Sequence, residues 1–327
     1  MKVGKLDTDL LRKIVFRHIT FQREEVLVRP GVGEDCAVVD FGDYACVLST
    51  DPITGTASEV GRLAVHISCN DVASNGVEPL GLMLTIMAPE GTTADEIEEI
   101  MKQAGREAGK LNVEIIGGHT EITTAVNRMI VSATAIGRQI KSKVVATRGA
   151  QVGDLVLMTK TAGLEGTAII AHEKADQLIA YMGPDMVNSA KIMMDKISVV
   201  PEGMIGGAIG TSSMHDITEG GLLGAVWELC EAAGVGIEIY MDKIPIAAET
   251  ERVCKYFGID PLRLISSGCM LMTISMDKEK DLLEALKEQG IQGTVIGRVT
   301  TGGRFLIDGK EKLEIAPPES DELYKVV

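Results

Sequence analysis

Strand-like and helix-like runs alternate along almost the whole chain, and glycine marks many of their junctions. Apolar stretches at 36–40, 45–50, 80–87 and 128–137 have strand length. Helical patterns lie between them. Val60, Leu63, Ala64 and Ile67 recur at three- and four-residue spacing, and the pattern stops at Asn75-Gly76. Thr93 and Glu96 have the spacing of a capping box ahead of an apolar face of Ile97, Ile100, Met101, Ala104 and Ala108. A short helix from about Asp7 to Arg17 opens the chain. The second half repeats the alternation with strands in GDLVLMTK, VGIEIY, CMLMTIS and TVIGRV. Its helical segments include PEGMIGGAIG, AAETERVCKYFG and DKEKDLLEALKEQG. Such alternation predicts an α/β fold, with α/β or α+β layers, rather than a bundle, a solenoid or a disordered scaffold.

The basic, turn-rich segment RQIKSKVVATRGA at 138–150 is the best boundary, giving expected domains at 1–140 and 150–327. With 327 residues, 45% of them hydrophobic, the chain can bury the cores of both. A formal charge of −15 argues against tracking a nucleic-acid backbone, which needs clustered Lys and Arg. No apolar run reaches the roughly 20 residues that span a bilayer, and no signal peptide is evident, so the expected location is the cytoplasm, away from membranes. Six cysteines without a CxxC pair read as reduced packing residues.

Three carboxylates stand where apolar runs end or continue inward. Asp51 closes the strand-like VLST and precedes proline, Asp35 sits in the GEDC turn, and Asp71 continues the inward stripe of the 60–74 helix. Each has a plain alternative: a turn or helix cap for Asp51, a surface turn for Asp35, and a buried carboxylate satisfied by backbone donors for Asp71. Together they fit a hard-cation site, because Mg²⁺ on a nucleotide is held by one or two carboxylates plus phosphate and water oxygens. IIGGHTEI at 115–122 places two glycines at a strand end, where phosphate can approach backbone amides; Thr120 can donate, and His119 or Glu121 can meet a metal or a proton. A simple turn with a satisfied loop histidine explains the same residues. The chain has no GxxxxGK[ST] phosphate loop. Asp216 and Glu219 have capping-box spacing, yet Gly220-Gly221 behind them costs helix propensity, which fits a ligand near that helix end. The same argument applies less strongly to Gly163 and Gly166.

The order GVGEDCAVV, STDP, NDVASNGVEPL, GGHTE, MHDITEGGLLGAVWELCEAAGVG, IPI and DPLRLISSGCMLMTI resembles the aminoimidazole ribonucleotide (AIR) synthase superfamily over essentially the whole chain, most of all its hydrogenase-maturation HypE branch. The resemblance implies an N-terminal domain whose sheet forms a barrel with a second subunit's across a homodimer, and a C-terminal α/β domain. It implies ATP bound with Mg²⁺ and activation of an oxygen of a small substrate. Matched by motif, Asp35, Asp51 and Asp71 become metal or phosphate-side ligands, supported by Asn70. Gly117, Gly118 and Thr120 line the nucleotide site, and Asp216 reaches it as a further metal ligand. Asp71, His119 and Asp216 are the residues expected to act in catalysis. HypE carries its substrate group on a C-terminal cysteine, whereas this sequence reads DELYKVV there. Selenophosphate synthetases place a reactive thiol or selenol beside a lysine, where this sequence offers Lys2 and Lys5 alone. The leading expectation is a Mg²⁺- and ATP-dependent enzyme acting on a small molecule. The alternatives are a nucleotide-binding partner protein of maturation type, and a phosphotransferase akin to thiamine-monophosphate kinase or selenophosphate synthetase.

Overall fold

A computed structural model describes residues 4–53, 59–318 and 320–327. The first sheet is built from β1 (Val26–Val28), β2 (Ala37–Phe41), β3 (Tyr44–Ile53), β4 (Pro79–Ala88), β5 (Glu114–Ile122) and β6 (Ile130–Ile140). Its order is β1-β2-β3-β6-β4-β5. Helices α1 (Thr8–Ile14), α2 (Val60–Ser74) and α3 (Ala94–Lys110) accompany it. Within this sheet, among the described residues, only β4 and β5 pair in parallel, and α3 is the crossover that such a connection requires. Thr93 and Glu96 form the expected capping box at the start of α3.

In the second half come β7 (Leu155–Thr159), α4 (Leu164–Glu173), α5 (Ala175–Met182), α6 (Pro184–Ile192), α7 (Val200–Ile209), β8 (Ser213–Asp216) and α8 (Gly221–Ala233). They are followed by β9 (Gly236–Tyr240), α9 (Ala248–Phe257), β10 (Met270–Ile274), α10 (Glu279–Glu288), β11 (Gly293–Thr300), β12 (Arg304–Asp308) and β13 (Glu311–Glu314). These strands form a seven-stranded sheet of order β13-β12-β9-β11-β7-β10-β8. The fold is thus mixed α/β in two sheet-based layers, as the alternation predicts. The final hairpin, β12 with β13, escapes the sequence reading: GGRFLIDGKEKLE is too charged and too short to show a clear period of two.

Helix α2 is the centre of the molecule. From Val60 to Ser74 nearly every side chain is buried, because β3 and β6 lie on one side, α3 on another, and α7 and β8 of the second half on a third. Small residues make this crowding possible. A Cβ on Gly61 would lie 2.3 Å from the Ile100 carbonyl, and one on Gly203 of α7 would lie 2.1 Å from that of Ala73. Asn70 fastens the junction: its Nδ2 donates to the Ile197 carbonyl at 2.8 Å, and its Oδ1 accepts from the Val199 amide at 2.8 Å. Fully buried, the Asn70 side chain is committed to joining α2 to the second half. Asn70→Ala leaves a buried carbonyl and amide unmet, and is expected to destabilise the fold by about 2–3 kcal/mol in urea unfolding.

Candidate functional site

The burial alternation of β3 turns Ala45, Val47, Ser49, Asp51 and Ile53 toward α2. Ser49 Oγ donates to Asp71 Oδ2 at 2.5 Å, and the same oxygen lies 3.5 Å from Asp51 Oδ2. One hydroxyl proton serves only one of two carboxylates. Asp71 is 3% exposed and sits on α2 one residue after the Asn70 anchor. Asp216 ends β8 and is 1% exposed, with neither carboxylate oxygen hydrogen-bonded. Asp35 precedes β2 in a loop pressed on α8, where a Cβ on Gly33 would lie 2.6 Å from the Glu228 carbonyl.

The four aspartates predicted from sequence therefore share one place, where the two halves meet. Burial, then Asp216 and Asp51, push the Asp71 carboxyl well above its ordinary value. Burial, then Asp35, pushes Asp216 up to about 7. Asp35 differs. His215 Nδ1 lies 3.0 Å from its Oδ2, while His215 Nε2 lies 3.3 Å from Glu228 Oε2. Burial would discharge that imidazole, but the two flanking carboxylates hold its pKa well above the usual histidine value. Burial would likewise raise Asp35, and the imidazolium outweighs it, holding Asp35 down to about 2. Lys5 lies 3.4 Å from Glu228 at the same edge, and Lys2 falls outside the described residues.

Ligand atoms of Asp35, His215 and Asp216 lie within 4.8 Å of one another. A hard cation prefers carboxylate oxygen, and His215 as an imidazolium has no lone pair to offer. Asp51, Asp71 and Asp216 are the better donor set: all are acidic, and neither buried member forms a salt bridge among the described residues. Asp35, Asp51 and Asp71, with Lys5, Thr218, Glu219, Tyr324 and apolar residues including Leu63 and Ile169, line a cavity of about 200 Å³, and Asp216 lies behind that lining.

Other expected site residues lie elsewhere. GGHTE is not a turn but part of β5, an edge strand exposed along almost its whole length. Gly118 is required there because a Cβ would meet the Leu84 carbonyl at 1.9 Å. His119 is exposed and pairs with Glu121 at 3.2 Å, so Gly117, Gly118, His119 and Thr120 do not join the aspartates within this chain. Asn70 is adjacent to the site but engaged by backbone.

Asp216 caps no helix, since α8 begins at Gly221 behind Gly220. The glycine pair there yields to the chain's own backbone: a Cβ on Gly221 would lie 2.7 Å from the Leu262 carbonyl. The anion at that helix end is Asp321, whose Oδ2 accepts from the Gly220 amide at 2.7 Å. Gly163 and Gly166 similarly make room for Thr250 and Leu264. Sequence reading missed Ser49, His215, Glu228, Glu165 and Ser267. Glu228 inside AVWELC and Glu165 inside AGLEGTAII carried a signal, as lone acids in apolar runs.

Family comparison agrees with this arrangement. Residues 33–139 match the N-terminal domain of AIR synthase related proteins, and residues 151–309 the C-terminal domain. A Methanocaldococcus jannaschii protein provisionally named for hydrogenase expression/formation is 30% identical, over 91% of this chain and 88% of its own. Carbamoyl dehydratase HypE of Rhodobacter capsulatus is 25% identical, over 90% and 86%. Thiamine-monophosphate kinase of Pyrococcus horikoshii is 26% identical, over 88% of each. The fold matches the chain from a HypE–HypF complex (TM-score 0.79, 24% identity, 94% of this chain and 99% of that one). It also matches HypE solved with ATP (TM-score 0.70, 20% identity, 99% and 98%).

A pH dependence follows from the site. Asp216 in the folded chain holds its proton up to about pH 7, while the unfolded chain releases it near the ordinary aspartate value of 3.8. Folding therefore takes up a proton between these values, and this group's contribution to stability falls as pH rises through the window. Asp216→Asn should be more stable than the parent in chelator at pH 8, by on the order of 2 kcal/mol, with the difference vanishing toward pH 4. Thermal unfolding across that range checks the sign. By its sequence matches and its fold together, the chain belongs to the AIR synthase related protein family.

Proposed function

We propose that this protein is an ATP-dependent enzyme of HypE-like type that phosphorylates, or otherwise activates, an oxygen of a small substrate, acting in the cytoplasm. The observation that carries the reading is the group Asp51, Asp71 and Asp216: buried or half-buried acids of both halves, two of them driven toward protonation by burial and by neighbouring acids. Mg²⁺ held by these three, with Asp35 at its edge, would neutralise phosphate oxygens and polarise the group in transfer. Ser49 keeps Asp71 in place through its hydrogen bond. His215 supplies a fixed positive charge beside Asp35 that does not have to leave when a metal enters. Lys5 offers a flexible cation at the mouth. The family's relatives support ATP as the phosphoryl source: one solved HypE carries it, and a thiamine-monophosphate kinase is among the relatives.

A cavity of about 200 Å³ is smaller than the usual nucleotide-sized site, so it suits the phosphates and the acceptor rather than the whole of ATP. The first sheet's outer face, with Met83, Leu80 and Ile116 each about half exposed, fits pairing with a second copy. GGHTE on β5 would then lie at the subunit boundary instead of in solvent. HypE in complex with HypF, whose fold this chain shares, supports a protein partner of maturation type as well.

Two measurements test the reading. Asp71→Asn should weaken binding of a non-hydrolysable ATP analogue with Mg²⁺ by at least about tenfold in calorimetry, with the fold intact by circular dichroism. Equal affinity would remove Asp71 from the metal site. Met83→Glu should convert a dimer to a monomer in sedimentation velocity; a parent that already sediments as a monomer would count against the homodimer.

A further inference from the structure

The cavity has a second polar end that the metal reading leaves unused. Glu165, in the first turn of α4, is 3% exposed, and Ser267, just before β10, is fully buried. Both line the cavity, and Glu165 Oε2 and Ser267 Oγ lack hydrogen-bond partners. The Ser267 hydroxyl and its backbone amide both ease the carboxylate's charge, while Oε2 itself stays without a hydrogen bond. The neighbouring acids are already met. Asp321 accepts from the amides of Gly220, Ile265 and Leu323, and Glu219 Oε1 accepts from the Tyr324 hydroxyl at 2.7 Å. Burial first, then these acids, push Glu165 up to about 7.

The plain reading is that Glu165 complements the dipole of α4, which is worth about 0.3–1 kcal/mol. Burying an unmet carboxylate costs several kcal/mol, so the dipole does not account for it. Nor does the turn depend on it: the Gly163 amide donates to Ser266 Oγ and the Gly166 amide to the Ile265 carbonyl. What the cavity wants at this end is a donor, and a charged one. Lys5 is the only Lys or Arg among its described lining residues, and Lys5 is engaged by Glu228. An anionic head would meet Glu165, Glu219 and Asp321 together. The same lining carries Ile67, Ile169 and Ile265, an apolar surface beside the acids.

We propose that Glu165 and Ser267 bind a nitrogen cation, an ammonium or amidinium head, on the acceptor molecule, whose aliphatic body lies along Ile67, Ile169 and Ile265. The cation pairs with Glu165 and donates to both unmet oxygens. Placing the acceptor's oxygen at the aspartate end rests on the phosphoryl-transfer reading above; the cation site itself does not.

The test uses amino alcohols from ethanolamine to 6-amino-1-hexanol beside diols of matching length, bound to the full chain at pH 8 with Mg²⁺ and a non-hydrolysable ATP analogue. Ligand-observed NMR gives the affinities. At least one amino alcohol should bind about tenfold or more tightly than its diol, and Glu165→Gln should bring that ratio within about twofold. Glu165→Gln should keep the parent's nucleotide affinity and melt no lower, because it removes an unmet buried charge. No amine preference anywhere in the parent series, or a preference that survives in Glu165→Gln, overturns the inference. Amine preference without nucleotide binding would refute the phosphoryl-transfer reading instead, and leave the cation site standing.

Discussion

Like charges forced together out of water are the constraint on which the rest of this structure turns. Asp71 and Asp216 come from different halves of the chain, and burial with neighbouring acids raises the cost of ionising each: Asp216 and Asp51 for Asp71, Asp35 and Asp51 for Asp216. A fold dictated by stability alone would place apolar residues there, since burying an unpaired carboxylate costs more than nearly any side-chain choice. That the surroundings hold these side chains anyway, through Ser49 on one side and the Asn70 anchor on the other, supports the proposal of a cation at this junction. His215 sharpens this point, because it shows what a paired cation does: Asp35, which it contacts, is held down to about 2, and Asp216, which it eases without pairing, is still pushed up to about 7.

Much of this was legible in the sequence. Helix α2 ended at Asn75 as its pattern required, and α3 began with its capping box. The four aspartates were legible too, for a local reason: an acid at the end or on the inward side of an apolar run has few ways to be satisfied. Glycine was harder to read. In Gly118, Gly163 and Gly221 the same residue type that frees space for a ligand frees it here for the chain's own backbone or side chains, and one sequence carries no mark to separate the two. Asn70 followed the same pattern, with a polar side chain on an inward stripe that turned out to bond backbone more than 120 residues away.

What stayed hidden depended on contacts between distant segments. Glu165 and Ser267 meet only because α4 and the segment before β10 converge on one cavity, and nothing within either stretch announces the other. His215 lay beside Asp216 in plain view, yet its charge is set by Glu228 from α8 and Asp35 from the first half. Asp321 is a further case: a residue near the chain's end supplies the anion that the α8 N-terminus attracts, so the helix offers its positive pole to the fold rather than to a ligand.

Strand β5 has a consequence beyond the site. It extends from Glu114 to Ile122 with β4 on one side and, among the described residues, no strand paired on the other, a long ribbon of available backbone donors and acceptors. If a second copy normally shields that ribbon, thinning a sample strips the shield away. Losses to vessel walls would then take a growing fraction of the protein as the solution becomes more dilute, the reverse of the usual worry with concentrated protein.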